Sequence, residues 1–121
     1  MSELLTLPVE VIAARVRGGE VSATEMIEAS LGRIAEVDSR LGAFLGIEAD
    51  EALASAGAID ARRRRGERLG WLAGVPVARK DNLSYSGRLT GCASRMLEGY
   101  VSPLTATAIE RLTAEDAVFV G

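Results

Sequence analysis

The sequence contains no histidine among its 121 residues. This absence excludes a Ser-His-Asp triad, a Cys-His pair and a histidine-based zinc site within these residues. Proton transfer near neutral pH would then depend on a carboxylate, a lysine, a tyrosine or a thiol. Cys92 is the only cysteine, so no disulfide can form within the chain. Because that is typical of proteins in a reducing compartment, we expect a cytoplasmic protein.

Long hydrophobic runs and a strong excess of one charge are also missing. No apolar run approaches the roughly 18 residues that a membrane-spanning helix needs, so we expect no contact with a membrane. The formal net charge of -3 argues against a nucleic-acid-binding surface over the whole chain, but it allows a local basic patch. The composition, 48% hydrophobic and 26% charged, is ordinary for a globular domain.

The first 66 residues have the pattern of helices. Apolar residues recur at helical spacing over residues 5–16 and again over 27–37, where the apolar face ends at polar residues. Residues 22–25 have the S-x-x-E form of a capping box, which predicts the start of the second helix. A third helix is predicted from about residue 50 to 65, ended by Gly66. We therefore expect a helical segment over residues 1–66.

After residue 70 the pattern changes to that of an α/β fold. A strand is predicted over residues 75–80, followed by a loop over 83–91. A short helix with Thr105 as its N-cap leads to a second strand over 117–120. Strand, helix and strand in this order indicate a βαβ unit with parallel strands. The predicted fold is α/β, with the helical front packed on the first strands of a mixed sheet. Residues 67–121 form the start of this α/β part.

The second strand has an apolar pattern that does not alternate. Val118, Phe119 and Val120 therefore indicate a strand that is buried on both faces. Parallel sheets are covered by helices on both sides, and the sequence supplies no further element after this strand. We interpret the 121 residues as one incomplete domain, the truncated front part of a longer one.

Lys80 stands at the end of the first predicted strand, where ligands bind in open parallel sheets. Strand alternation places Lys80 on one face with Pro76 and Ala78, and Arg79 on the other. Its small neighbours leave room beside the ammonium group. The simplest alternative is a solvated charge at a strand end that pairs with Asp81.

Three motifs carry a resemblance to a known family. The runs GVPVARKDN, TGCASRML and ATAIERLTAEDAVFVG resemble the amidase signature family, whose strand end reads G-[IV]-P-[IV]-x-x-K-D-N. The front runs SATE, RIAEVDSRLGAFL and EALASA extend the resemblance over nearly the whole chain. Together with the C-A-S-x-x-L loop, they favour one branch of the family, the A subunits of glutamyl-tRNA(Gln) amidotransferases.

The resemblance implies that Lys80 is the base of a Ser–cis-Ser–Lys triad. Both serines of that triad lie in a glycine- and serine-rich stretch that this sequence does not contain, and Ser84, Ser86 and Ser94 do not match them. A lysine acts as a base only if its pKa falls well below about 10.4, which burial or a neighbouring cation can cause. We therefore expect Lys80 in a closed interior, with the carboxylate of Asp81 pointing elsewhere.

The family also implies a reaction and partners. Glutamine is hydrolysed through an acyl-enzyme, and the B subunit uses the ammonia with ATP and Mg to convert Glu-tRNA(Gln) to Gln-tRNA(Gln). The B and C subunits are the expected partners, and no cofactor or metal is expected in this chain. Two alternatives stay open: a stand-alone amidase that hydrolyses a small amide, and a non-catalytic module that binds a partner such as the C subunit.

Some residues depart from the family's usual pattern. Thr105 stands where an aspartate is common, and Glu115-Asp116 replaces a usual Ala-Gly before the last strand. Aspartate tolerates unusual backbone angles better than most residues, though less well than glycine. These departures affect the geometry of two turns and leave the family assignment unchanged.

A few further residues have a structural and a functional interpretation. The run of arginines at 62–65 suits a solvated helix C-terminus, and its alternative role is contact with tRNA phosphate. Cys92 is predicted to be buried and structural, because no histidine is present to activate it. Trp71 and Tyr100 are predicted to be packing residues, and Tyr85 is a candidate for lining the substrate cleft.

Overall fold

The computed structural model describes residues 2–121 and confirms an α/β fold with a helical front. No helix in this range combines the length and the apolar composition needed to cross a membrane. The elements in chain order are a 3-10 helix Ser2–Thr6, α1 Val9–Gly18, α2 Ala23–Leu41, α3 Ala49–Arg64, β1 Pro76–Val77, a 3-10 helix Arg95–Leu97, α4 Thr107–Ala114 and β2 Val118–Phe119.

Side chains cap the N-terminus of α2, whereas its C-terminus ends at Gly42 in a left-handed conformation. The predicted capping box is confirmed: Ser22 Oγ accepts from the Glu25 N–H at 3.0 Å, and Glu25 Oε2 accepts from the Ser22 N–H at 2.8 Å. The helix runs to Leu41, three residues beyond the polar Asp38 where its apolar face ends. Asp38 is itself used at that end, because its carboxylate accepts from the Ala43 N–H at 2.7 Å.

A buried carboxylate joins α3 to the start of α2. Asp60 is 4% exposed, and it accepts hydrogen bonds from the N–H of Ala23 at 2.7 Å and the N–H of Thr24 at 3.0 Å. It also accepts from the Thr24 hydroxyl at 2.7 Å. These bonds satisfy N–H groups that the first turn of a helix leaves without an intrahelical partner. Sequence reasoning did not single out Asp60.

The predicted βαβ unit is confirmed, with α4 connecting two parallel strands. Pro76 lies opposite Val118 and Val77 opposite Phe119. The predicted burial of the second strand is also confirmed, since Val118, Phe119 and Val120 are each at most 4% exposed. Within residues 2–121 the sheet holds these two parallel strands, which agrees with the expected first strands of a larger sheet.

The first strand is shorter than the predicted range of 75–80. It covers Pro76–Val77, and its hydrogen bonding with the second strand extends to the Arg79 N–H, which donates to the Gly121 carbonyl at 2.9 Å. A turn begins directly afterwards, because the Leu83 N–H donates to the Lys80 carbonyl at 3.0 Å. Lys80 therefore lies beyond the strand, at its carboxyl end.

The prediction of Thr105 as the N-cap of the last helix was wrong. Helix α4 begins at Thr107, with Ala106 at the capping position and no side-chain capping bond. The Thr105 hydroxyl instead accepts from the Ser86 N–H at 3.0 Å, which ties the start of α4 to the loop after β1. A tertiary hydrogen bond has here replaced the local capping bond.

One apolar core joins the helical front to the strands. The largest fully buried side chains come from both parts of the chain, and each stabilises the fold by about 1.5–3 kcal/mol. Close packing is visible at Gly74, whose φ is +72° and where a Cβ atom would lie 3.0 Å from the Cβ of Ala23. The largest fully buried side chains of this core are Val16, Met26, Ile27, Ile109 and Val118.

Candidate functional site

Lys80 is exposed in the turn that follows β1. It is the only lysine in the sequence; all the other cationic side chains are arginines. Among residues 2–121 its ammonium group makes no ion pair, so the predicted alternative of a pair with Asp81 is not realised. As we expected, the Asp81 carboxylate points elsewhere, accepting from the Gly91 N–H at 3.3 Å.

The closed interior that we expected around Lys80 is absent within the described residues. Lys80 instead lines an open cavity of about 220 Å³ at the carboxyl end of β1. Its apolar lining includes Ala43, Phe44 and Leu45, from the segment between α2 and α3.

Arg79, which also lines this cavity, has its guanidinium in a buried ion pair. Its side chain is 6% exposed, and Arg79 Nη2 donates to Glu48 Oε1 at 2.7 Å. The same guanidinium donates to the Leu83 carbonyl at 3.3 Å, across the turn that contains Lys80. Arg79 therefore connects the backbone on the far side of this turn to the start of α3.

A second arginine shares the same carboxylate. Arg88 Nη1 donates to Glu48 Oε2, so one carboxylate receives two guanidinium groups. The Arg88 guanidinium also lies 3.9 Å from the centroid of the Tyr85 ring, which in turn packs edge-on against Phe119. We call Glu48, Arg79, Tyr85 and Arg88 the Glu48 cluster.

The Glu48 cluster was missed by sequence reasoning, although two signals pointed to it. An arginine late in an apolar strand needs a partner when it is buried. An acidic residue directly before a predicted helix has a favourable position at the positive end of the helix dipole. Tyr85, which we suggested for the substrate cleft, belongs to this cluster instead of the cavity beside Lys80.

A second ion pair lies at the other end of α3. Arg62 donates to both carboxylate oxygens of Asp116, at 2.6 Å and 3.3 Å, and this hydrogen bonding raises the pKa of the Arg62 guanidinium. Asp116 has a φ of +67°, so the turn does require the unusual backbone angle suggested by the sequence. Its carboxylate also accepts from the Gly70 N–H at 2.7 Å.

The other arginines of the 62–65 run point in different directions. Arg65 pairs with Glu67 at 2.6 Å on the surface, and Arg64 is exposed. Arg63 lies against Gly19, where its guanidinium would contact any added side chain. The predicted solvated helix end is therefore confirmed for Arg64 and Arg65, whereas Arg62 forms an ion pair with Asp116.

Three side chains that were predicted to be buried or packed are exposed instead. Cys92 is exposed, and both Cys92 and Ala93 have positive φ values, 51° and 55°. Trp71 is 70% exposed, and Tyr100 is 42% exposed. All three lie outside the helices and strands, where hydrophobic periodicity gives no prediction of burial.

The acidic side chains of residues 2–121 and Cys92 form no group of three or more that is close enough to hold a metal ion. The cavity beside β1 therefore presents the Lys80 amine, which has no ion-pair partner among residues 2–121, next to the apolar residues 43–45. The neighbouring ion-pair cluster fixes the backbone that carries this amine.

A known protein family matches most of the chain. The Amidase family model matches residues 25–121, a range that includes Lys80, the C-A-S loop and β2. The chain belongs to the Amidase family. This confirms the resemblance that was drawn from the K-D-N and C-A-S motifs.

Individual curated relatives match most or all of the chain. It is 50% identical over 121 residues to the A subunit of the glutamyl-tRNA(Gln) amidotransferase from Thermobifida fusca, and these residues span 24% of that protein. It is 52% identical over 104 residues to the corresponding protein of Symbiobacterium thermophilum, covering 85% of this chain and 21% of that protein. The chain thus spans about a quarter of the length of its curated relatives.

Solved structures of this family have the same fold. The native peptide amidase of Stenotrophomonas maltophilia matches with a TM-score of 0.87 at 34% identity, over 96% of this chain and 24% of that one. Fatty acid amide hydrolase matches with a TM-score of 0.91 at 21% identity, over 98% of this chain and 21% of that one. At that identity the likeness shows a shared fold alone.

Proposed function

We propose that residues 1–121 are the N-terminal part of an amidotransferase A subunit that hydrolyses glutamine, with Lys80 as its general base. The observation that carries this proposal is the position of Lys80 directly beyond β1, with its ammonium group unpaired among residues 2–121. Lysine is also the only type of cationic side chain in this sequence that can act as a base, because arginine does not lose its proton.

The proposed reaction proceeds through an acyl-enzyme. Lys80, as a free amine, takes a proton from a bridging serine, which in turn takes the proton of the nucleophilic serine. The nucleophile attacks the side-chain amide carbon of glutamine, the C–N bond breaks, and the nitrogen leaves as ammonia after gaining a proton. Water then hydrolyses the ester to give glutamate. Residues 1–121 supply only the lysine, so we propose that this chain alone releases no ammonia.

The partners follow from the amidotransferase relatives. We propose that the B and C subunits bind the complete A subunit in the cytoplasm, and that the B subunit uses ATP and Mg with the ammonia to amidate Glu-tRNA(Gln). The identity of 50% over the whole chain to an A subunit supports this assignment.

A stand-alone amidase is the second candidate function. The observation that favours it is the match to a peptide amidase at a TM-score of 0.87 and 34% identity. Glutaminase activity that requires the B subunit would support the amidotransferase, whereas hydrolysis of small amides without any partner would support the second candidate. A folded chain that binds the C subunit, yet shows neither activity after completion, would indicate a non-catalytic module.

The decisive experiment changes Lys80 to Arg in a completed enzyme. Residues 1–121 are joined to the remainder of the Thermobifida fusca A subunit, and the product is assembled with the B and C subunits of that organism. Arginine keeps the positive charge but cannot accept a proton, so we expect glutamine hydrolysis to fall by about 10²–10⁴-fold, the usual contribution of general acid–base catalysis. Ammonia release is measured at saturating glutamine.

The matched control is Arg95→Lys in the same assembly, because Arg95 is exposed in the C-A-S loop and makes no ion pair among residues 2–121. It exchanges the same two residue types and should leave the rate unchanged. If Lys80→Arg kept more than about a tenth of the rate, a loss below about 1.4 kcal/mol, Lys80 would not be the base.

A further inference from the structure

A second cavity, of about 630 Å³, lies at the opposite end of α3 from the Glu48 cluster. It opens between the last turns of α1 and α3, the loop of residues 66–71 and the turn before β2. Its lining includes Arg17, Arg63, Arg68 and Trp71, and we call this cavity the Trp71 groove. The proposed glutamine chemistry uses none of these side chains.

The Trp71 groove has an excess of uncommitted positive charge. Two of its three carboxylates are already paired, Asp116 with Arg62 and Glu67 with Arg65. Arg17, Arg63 and Arg68 then remain against a single carboxylate, that of Glu115.

None of these three remaining arginines pairs with a carboxylate among residues 2–121. Arg17 donates only to the carbonyls of Gly70 and Trp71, at 3.2 Å and 3.3 Å. The Nε atom of Arg63 is buried and has no hydrogen-bond partner in the described part of the chain. Guanidinium groups in this state suit an anion that accepts two hydrogen bonds, such as a phosphate.

Trp71 contributes a flat aromatic ring to the lining of the groove, beside these arginines. The side chain is 70% exposed, and the Arg17 guanidinium lies 5.4 Å from the ring centroid. Its backbone is held in place, because the Trp71 N–H donates to Glu115 Oε2 at 2.9 Å. At the preceding Gly70, a Cβ atom would lie 2.4 Å from the backbone of Glu115, so only glycine permits this approach. An exposed ring on a fixed backbone is suited to stacking.

We propose that the Trp71 groove binds a phosphate carried beside a planar ring, as in a nucleotide. Arg63 and Arg68 hold the phosphate, and Trp71 stacks on the base. The source of this ligand is either a free nucleotide or a nucleotide within a single-stranded RNA. Ligand binding in this groove is independent of Lys80, because the two cavities share no lining residue.

The test uses fluorescence of the 121-residue chain, in which Trp71 is the only tryptophan. The chain is titrated with AMP, with inorganic phosphate and with a short single-stranded oligouridylate. We expect AMP to change the emission saturably, with a Kd near or below about 1 mM. Phosphate alone should compete with AMP but produce a smaller change, since it cannot stack.

Two matched variants locate the site. Arg68→Ala should weaken AMP binding about tenfold, which corresponds to about 1.4 kcal/mol. Arg64→Ala removes the same charge from an exposed residue of α3 that does not line the groove, and it should change the Kd by less than about twofold, within the range of surface substitutions. Equal effects of the two variants, or no saturable change with AMP, would overturn the proposal.

The oligouridylate distinguishes the two sources. Binding about tenfold tighter than AMP, lost with Arg68→Ala, would assign the groove to an RNA strand. Binding equal to or weaker than AMP would assign it to a free nucleotide. Calorimetry on Trp71→Ala completes the test: AMP should then bind no better than ribose 5-phosphate, and a preserved preference for AMP would exclude stacking on Trp71.

Discussion

The two ends of α3 are each tied to the sheet by an ion pair, but the two contacts differ in burial and in stoichiometry. At the N-terminal end Glu48 receives two guanidinium groups, and all three side chains are at most 18% exposed. At the C-terminal end Asp116 receives one, and the Arg62 side chain is 33% exposed. Both contacts match the helix dipole, which favours an acid at the N-terminus and a cation at the C-terminus.

This difference separates two tasks in the molecule. The buried end fixes the strand end and the turn that carry Lys80, because Arg79 of the Glu48 cluster bonds across that turn. The more open end leaves arginines and Trp71 accessible in the Trp71 groove. The N-terminal end of α3 is thus fixed beside the proposed base Lys80. Its C-terminal end is more accessible and suits a charged ligand in the Trp71 groove.

The largest effect is expected from Glu48→Ala. This change leaves two buried guanidinium groups without a carboxylate, and breaking a buried pair in this way costs about 3–5 kcal/mol. We expect the free energy of unfolding of the 121-residue chain to fall by that amount in urea denaturation. Glu51→Ala, an exposed acid in the first turn of the same helix, is the control. Equal losses for both variants would refute the special role of the buried end.

The next effect is expected at Asp60, which lies between the two ends of α3. Asp60→Ala removes the buried acceptor of two backbone N–H groups at the start of α2, which should cost about 3 kcal/mol. Asp60→Asn keeps one side-chain acceptor and should lose roughly half as much. The same urea experiment measures both variants. An Asn variant as damaged as the Ala variant would indicate that both carboxylate oxygens are needed.

A smaller effect is expected at the open end of α3. Asp116→Ala breaks the contact with Arg62 and places a Cβ residue at a φ of +67°, which together should cost about 2 kcal/mol. Asp116→Gly removes the same contacts but accepts this backbone angle, so we expect a loss of about 1 kcal/mol. A glycine variant that is less stable than the alanine variant would show that the backbone angle is not what constrains this position.

The smallest effect is expected at the exposed pair of Arg65 and Glu67. The Arg65 side chain is 62% exposed, and exposed pairs contribute little because water and salt screen them. Arg65→Ala should change the free energy of unfolding by less than about 0.5 kcal/mol, with no dependence on salt beyond that of the parent chain. A decrease in the free energy of unfolding above about 1 kcal/mol would show that this pair contributes as much as a buried ion pair.

Local signals made much of this fold predictable. The capping box at Ser22 and Glu25, the third helix and the parallel βαβ unit all follow from spacing over a few residues. The same kind of signal failed at Thr105, where a tertiary hydrogen bond from the Ser86 N–H replaced the local cap. It also failed for Trp71 and Cys92, whose exposure depends on the path of a loop.

The sequence by itself determined the helices, the capping box of α2 and the parallel strands, because each depends on neighbours close along the chain. Only the tertiary structure decided which carboxylate each arginine meets. Glu48 is 31 residues from Arg79 and 40 from Arg88, and Arg62 is 54 from Asp116. Any of the chain's arginines has the same charge, so the partner is selected only when packing of the apolar core brings α3 against the sheet.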